Sequence, residues 1–214
     1  MKRRDFVSGL GAIGILALMP FQEIFRCDKN QRLHFIGLGT GGTNVAWRIR
    51  KKGVTAGYSC FNWFPSFVEP YDGFHHIFYE YPREFRQSNE LGRKRIPLTD
   101  EMKSTLSHND FYVVLVGLGA FTGTSLISDV VEFLEARNAN YLSICSLPFF
   151  NEGRTRNEYA RSKMTELIKY KRVKFFDNEE ILRKFGAMKI SKSFEKADEE
   201  MYCIFQKEYY NLIS

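Results

Sequence analysis

Twice in this 214-residue chain a short apolar run breaks into a glycine-rich turn and then into an amphipathic stretch. The first instance runs from Leu33 into "GLGTGGTN"; the second runs from Phe111 to Val116 and into "GLGAFTGTS". Glycines at a strand-to-helix turn leave backbone N–H groups at a helix N-terminus, where they favour phosphate. Two such turns in one chain restrict the fold to strands feeding helices.

The rest of the chain from Arg32 keeps that alternation. Strands are expected at Leu33–Gly37, Ala56–Phe61, His75–Tyr79, Phe111–Gly117, Asn140–Leu147 and Val173–Phe176. Helices are expected to begin after Gly42, Thr99, Gly123, Gly153 and Asn178, with Thr99 capping a first turn that holds Asp100 and Glu101. From about Ser191 onward, Phe194, Ala197, Met201, Ile204, Phe205 and Leu212 recur at helical spacing, which predicts one long helix. The fold class is α/β: a Rossmann-like, mainly parallel sheet with helices on both faces. Residues 62–98, rich in aromatics, Pro and Gly, read as loop-dominated.

Composition excludes some functions. Hydrophobic content of 44% and aromatic content of 15% are those of a globular domain. Of the formal charge of +6, five basic and three acidic side chains lie in the first 30 residues. The mild excess left on the body has no Lys/Arg run on a periodic face, so nucleic acid is not an expected partner. Cys27, Cys60, Cys145 and Cys203 stand singly without zinc spacing. Cys60 and Cys145 lie in apolar runs and read as buried thiols; a reducing compartment fits, and the even count is also compatible with oxidation. His75 and His76 are adjacent on a strand and face opposite sides, so no metal site is expected from them.

Residues 1–30 are set apart from the domain at 31–214. "MKRRDF" opens them with basic residues, and an apolar run follows from Phe6 to Phe21. Arg3-Arg4-Asp5-Phe6-Val7 resembles a twin-arginine export signal, yet no small-x-small cleavage site follows. The competing reading is an uncleaved membrane anchor that holds the domain at the cytoplasmic face.

Gly37, Gly39 and Gly42 satisfy GxGxxG, but a dinucleotide enzyme should place an acid after the second strand, where Phe61-Asn62-Trp63-Phe64 stands. A lysine at Walker A spacing is absent, so phosphate binding would rest on N–H groups, hydroxyls and helix ends. Two turns gripping one nucleotide from two sides would account for both glycine stretches.

In this company the sequence resembles the FtsZ/tubulin superfamily. "FIGLGTGGTNVAWRI" is similar to the first glycine loop of FtsZ, and "GAFTGTS" to the family signature GGGTGT[GS]. "PFFNEGRTR" resembles the family's Pro-Phe-x-x-Glu-Gly stretch, "FFDNEEIL" its Ile-Pro-Asn-Asp segment, and "SFEKADEEM" the start of its central helix. The resemblance implies a guanine nucleotide, GTP or GDP, with Mg2+ as a candidate companion ion. It places Gly39, Thr40, Gly41, Gly42 and Asn44 along phosphates and sugar, with Gly119, Ala120, Phe121, Thr122, Gly123 and Thr124 donating to them. Glu152 and Arg156 would hold the ribose, and Asn178 and Asp198 would read the base. A carboxylate can accept from the N1–H and amino group of guanine, a pattern that adenine lacks.

Three departures from the family pattern bear on activity. Trp63 and Phe64 stand where a hydroxyl and an acid follow Asn62. The "EFRQS" stretch before Asn89–Arg95 lacks the γ-phosphate loop's glycines, leaving Arg86 as an electrostatic substitute. The resemblance also ends with the central helix, so the family's synergy loop is not in this sequence. Ala120 and Phe121 replace two glycines, and altered phosphate geometry is expected there. The leading expectation is a membrane-associated scaffold or switch with weak or no intrinsic hydrolysis and no catalytic residue of its own, capable of self-association or of binding a partner protein. The alternatives are a GTPase completed in trans by a partner, a dinucleotide-dependent oxidoreductase, and an interaction module without nucleotide.

Overall fold

The computed structural model describes residues 32–63, 71–79, 95–108 and 110–213, with side chains to 211. The N-terminal segment, Cys27, Phe64, Arg86, most of Asn89–Arg95 and the Leu212 side chain lie outside the described residues.

Six strands form one sheet: β1 (Arg32–Leu38), β2 (Gly57–Trp63), β3 (His75–Tyr79), β4 (Asp110–Gly117), β5 (Tyr141–Leu147) and β6 (Val173–Asp177). Their order is β3-β2-β1-β4-β5-β6, and every neighbouring pair is parallel. Parallel strands need helical crossovers, which bury both faces. The near-continuous burial of β4 and β5 follows from that, and it is why their sequences lack alternation.

The helices are α1 (Gly39–Lys51), α2 (Asp100–Thr105), α3 (Phe121–Ala136), α4 (Arg154–Leu167), α5 (Glu179–Phe185) and α6 (Ile190–Ile213), with a 3-10 turn at Phe150–Glu152. Thr99 caps α2 as expected, its hydroxyl accepting from Met102 N at 3.2 Å. One sheet face carries Ile36, Leu38, Phe61, Tyr112, Val114 and Val116 into a core with Leu126, Ile127, Val130 and Val131 of α3. The other face carries Phe35, which stacks on Tyr58 at 5.3 Å and meets Phe205 of α6 edge-on at 5.0 Å.

The α6 stripe is Ser193, Ala197, Met201, Phe205 and Tyr209, all buried and spaced by four. Phe205 and Tyr209 stack at 5.5 Å, and Tyr209 meets Phe111 at 4.9 Å. Each ring pair adds about 0.5–1.5 kcal/mol beyond its burial, which fixes the helix against the sheet. Phe194 departs from the expected stripe: it is 37% exposed and packs edge-on against Phe149 at 5.2 Å.

Two helix starts also depart from expectation. Helix α1 begins at Gly39 rather than after Gly42, and α3 begins at Phe121 rather than after Gly123. In both cases one glycine with positive φ turns the chain, Gly39 at +66° and Gly119 at +85°; Gly39 opens α1 itself, and the extended Ala120 is the N-cap from which α3 starts. Gly42 and Gly123 have a different reason to be glycine. A Cβ at Gly42 would lie 2.0 Å from Leu115 O, and one at Gly123 would lie 2.5 Å from Val116 Cγ2.

At the amino edge of the sheet, His34 Nε2 lies 2.9 Å from Ser59 Oγ and its Nδ1 3.3 Å from Asp110. Burial lowers the His34 pKa against the opposing pull of Asp110. Ser59 is 1% exposed, so the chain of contacts ties β2, β1 and β4 together. Cys60 and Cys145 are buried free thiols, as expected, and burial pushes both pKa values up to about 12. Among the described residues no group of three or more His, Cys, Asp or Glu could hold a metal ion. None of their helices is long and apolar enough to cross a membrane.

Candidate functional site

Parallel α/β sheets bind ligands beyond the carboxyl ends of their strands, where the order reverses. Here that point lies between β1 and β4, and α1 and α3 begin there. The two first turns are in contact: a Cβ on Gly39 would meet Gly123 N at 3.1 Å and Thr122 Cβ at 3.2 Å. Neither helix has a side-chain cap, since the N-cap residues are Leu38 and Ala120, and neither has an acidic residue in its first turn. Two helix N-termini thus converge with their dipoles unopposed by a local carboxylate, an arrangement suited to an anion.

Thr40 and Gly41 are exposed at that corner, while Gly42 is buried for packing. Asn44, one turn further, accepts from the hydroxyl of Tyr71 at 2.5 Å. In the second turn the geometry corrects the expectation for Ala120 and Phe121. Ala120 has φ −87° and Phe121 is helical, so neither position requires glycine; Gly119 does by its positive φ, and Gly123 by its contact with Val116. Thr124 is also committed elsewhere. Its hydroxyl accepts from Gly119 N at 2.9 Å and donates to Ala120 O, so it locks the corner rather than facing outward.

Among the described residues, Asn62 and Asn178 each bury a side-chain atom near the carboxyl edge without a hydrogen-bond partner. Asn62 Nδ2 lies at the end of β2 in a residue 3% exposed, and Asn178 Oδ1 lies just beyond β6 in a residue 5% exposed. A buried donor or acceptor left unmade costs about 1–3 kcal/mol, so such atoms mark where a ligand or water would bind. Asn178 N donates to Leu147 O at 3.3 Å, which holds this residue against the end of β5.

Glu152 Oε2 pairs with Arg156 Nη1 at 3.0 Å, and its Oε1 accepts from Phe149 N at 2.7 Å. The pair adjoins the second turn, because a Cβ on Gly119 would lie 2.6 Å from Arg156 O. Asp198 projects from α6 onto α1, where Arg48 Nε lies 2.7 Å from its carboxylate. Burial is the larger influence on Asp198 and pushes its pKa up to about 6, against the pull of Arg48. Arg48 stands nine residues along α1 from Gly39, about 13.5 Å at 1.5 Å per residue.

The structure therefore brings Gly39–Gly42 and Gly119–Thr124 together, and sets Glu152 and Arg156 beside the second turn. It places Asp198 further along α1 and Asn178 at the β6 end. Sequence reasoning missed Arg48, Tyr71 and the orphaned Asn62 donor. Arg48 lies 150 residues from Asp198 in the chain, and no local pattern joins them.

A six-stranded parallel sheet with two uncapped helix starts at its reversal point has the architecture of a doubly wound α/β domain. Its particular version is the FtsZ/tubulin fold. Over 100 residues, 46% of this chain, the sequence is 30% identical to cell division protein FtsZ 1 of Pyrococcus furiosus, covering 27% of that protein. The structure is similar to the FtsZ dimer of M. jannaschii, with a TM-score of 0.60 at 18% identity, over 89% of this chain and 56% of that one. It is also similar to TubZ of Bacillus thuringiensis serovar israelensis, solved as GDP-form protofilaments, with a TM-score of 0.55 at 17% identity over 85% and 55% of the two chains. The chain thus spans little more than half of these solved structures. No family model matches.

Proposed function

We propose that this chain binds a guanine nucleotide, GTP or GDP, and acts as a membrane-associated scaffold or switch with weak intrinsic hydrolysis. The observation that carries the reading is the meeting of the uncapped α1 and α3 N-termini, with the carboxylate of Asp198 about one nucleotide length along α1. Phosphates would rest on the two first turns. Asn44, Glu152 and Arg156 would line the sugar, and Asp198 with Asn178 would accept from the guanine edge once Arg48 yields.

The make-up of the two first turns supports weak hydrolysis. No acid stands in either first turn to orient water or hold Mg2+, and Trp63 and Phe121 bring apolar rings to the place. The solved relatives are described as a dimer and as protofilaments, which supports self-association as the mode of action. Attachment through residues 1–30 at the cytoplasmic face rests on their basic-then-apolar sequence. The same strand order also serves dinucleotide enzymes, but β2 ends in Asn62-Trp63 without the acid that holds an adenosine ribose.

Denaturing freshly purified protein and identifying the released small molecules tests this reading. A guanine nucleotide is expected; an adenine dinucleotide would overturn it.

A further inference from the structure

The ends of β2 and the start of α3 carry the two bulkiest side chains at the phosphate corner. Side chains alternate along β2. Phe61 and Trp63 face the core that α3 covers, so Cys60 and Asn62 face the opposite side of the sheet. The Trp63 ring meets that of Phe121 edge-on, with centroids 6.1 Å apart and planes at 65°. Phe121 is the first residue of α3, so the pair stands at the mouth of that helix N-terminus and packs on the core below it. The last β1–β2 pair is Leu38 with Phe61. Asn62 therefore lies one residue past the last β1–β2 pair, at the level where β1 becomes α1, and its buried Nδ2 has no hydrogen-bond partner among the described residues.

The two first turns themselves bring little charge to this corner, and Arg156, which adjoins the second turn, is paired with Glu152 at 3.0 Å. Two helix N-termini offer about half an elementary charge each. The first turns, Gly39–Gly42 and Phe121–Thr124, contain no lysine or arginine, and they contain no carboxylate that could bring in a divalent cation. A triphosphate needs more compensation than a diphosphate, and its added phosphate would have to lose water against two aromatic rings. A magnesium ion on a nucleotide is usually held by one or two carboxylates beside the phosphates, and neither first turn supplies one.

We infer that the Trp63–Phe121 pair makes this corner a nucleoside-diphosphate site: it binds the diphosphate without a divalent cation and discriminates against the triphosphate. The inference rests on the guanine-nucleotide reading above and adds which phosphate state is held. In that state Asn62 Nδ2 finds its acceptor on a phosphate oxygen.

The test is equilibrium titration of the full chain with GDP and GTP, each in Mg2+ and in EDTA, followed by intrinsic tryptophan fluorescence. GDP is expected to bind at least tenfold tighter than GTP, with an affinity that EDTA does not change. GTP binding as tightly as GDP, or a requirement for Mg2+, overturns the inference while leaving guanine binding intact. No binding of either nucleotide overturns both. Phe121→Gly should narrow the GDP-to-GTP ratio by at least threefold, and Trp63→Thr should do the same if the glycine variant does not fold. An unchanged ratio in a folded variant overturns the role of the pair.

Discussion

Arg48 Nε lies 2.7 Å from the carboxylate of Asp198, so the side chain best suited to read a guanine edge is already held by a cation. Arg48 is 43% exposed at its side chain while Asp198 is 15% exposed, so the arginine can leave for water more readily than the aspartate can. The ion pair covers a carboxylate that, in the proposed reading, a guanine base would take over.

Replacing Asp198 by Asn should therefore cost recognition rather than stability. The variant loses a charge-assisted acceptor worth about 1.5–3 kcal/mol, which is a loss of roughly tenfold or more in GDP affinity. The buried carboxylate is removed with it, so the melting temperature should hold or rise. Calorimetric titration beside a thermal melt checks both.

Acid should weaken binding through the same group. Burial lifts the Asp198 carboxyl to about 6, above the ordinary carboxylate range, and its protonated form cannot accept from guanine N1–H. GDP affinity should fall as pH drops through about 6. The stability contribution has the opposite sign: between about pH 4 and 6 the folded state binds more protons than the unfolded one, so this group favours folding more at the acid end. Affinities measured between pH 5 and 8, with melts in the same buffers, separate the two trends.

The glycines of the first turn should divide by role. Gly42→Ala drives a Cβ to 2.0 Å from Leu115 O and should destabilise by about 2–3 kcal/mol, lowering the melting temperature by roughly 4–12 °C. Gly41 is exposed, and its nearest Cβ contact would be an ordinary 3.7 Å to Gly117. Gly41→Asp suits a helix first turn by about 0.3–1 kcal/mol but repels phosphate. It should melt no lower than the parent and bind GDP at least tenfold more weakly.

Cys60 and Cys145 should resist alkylation at pH 8 in the folded protein, because both are buried and their thiols titrate near 12. Cys203, exposed on α6, should react. Peptide mapping by mass spectrometry with and without denaturant distinguishes these positions.

The strands were legible because buried parallel strands leave unbroken apolar runs, as Phe111–Val116 does, and the long last helix because its stripe repeats every fourth residue. The starts of α1 and α3 fall earlier than a glycine string suggests, because Gly39 and Gly119 turn the chain and leave Gly42 and Gly123 inside the helices. Thr124 resembled a phosphate donor; only the fold of the turn shows that its hydroxyl is taken by Gly119 and Ala120. The Arg48–Asp198 and Trp63–Phe121 contacts join distant segments, so no spacing rule could disclose them.

The proposed binding of a guanine nucleotide, with its phosphates at the α1–α3 corner, is tested most directly by calorimetric titration of the purified full chain with GDP, with ADP as the control. Saturable one-to-one binding of GDP, at least tenfold tighter than ADP, is the expected result. Equal affinity for the two, or no binding of GDP, would contradict it.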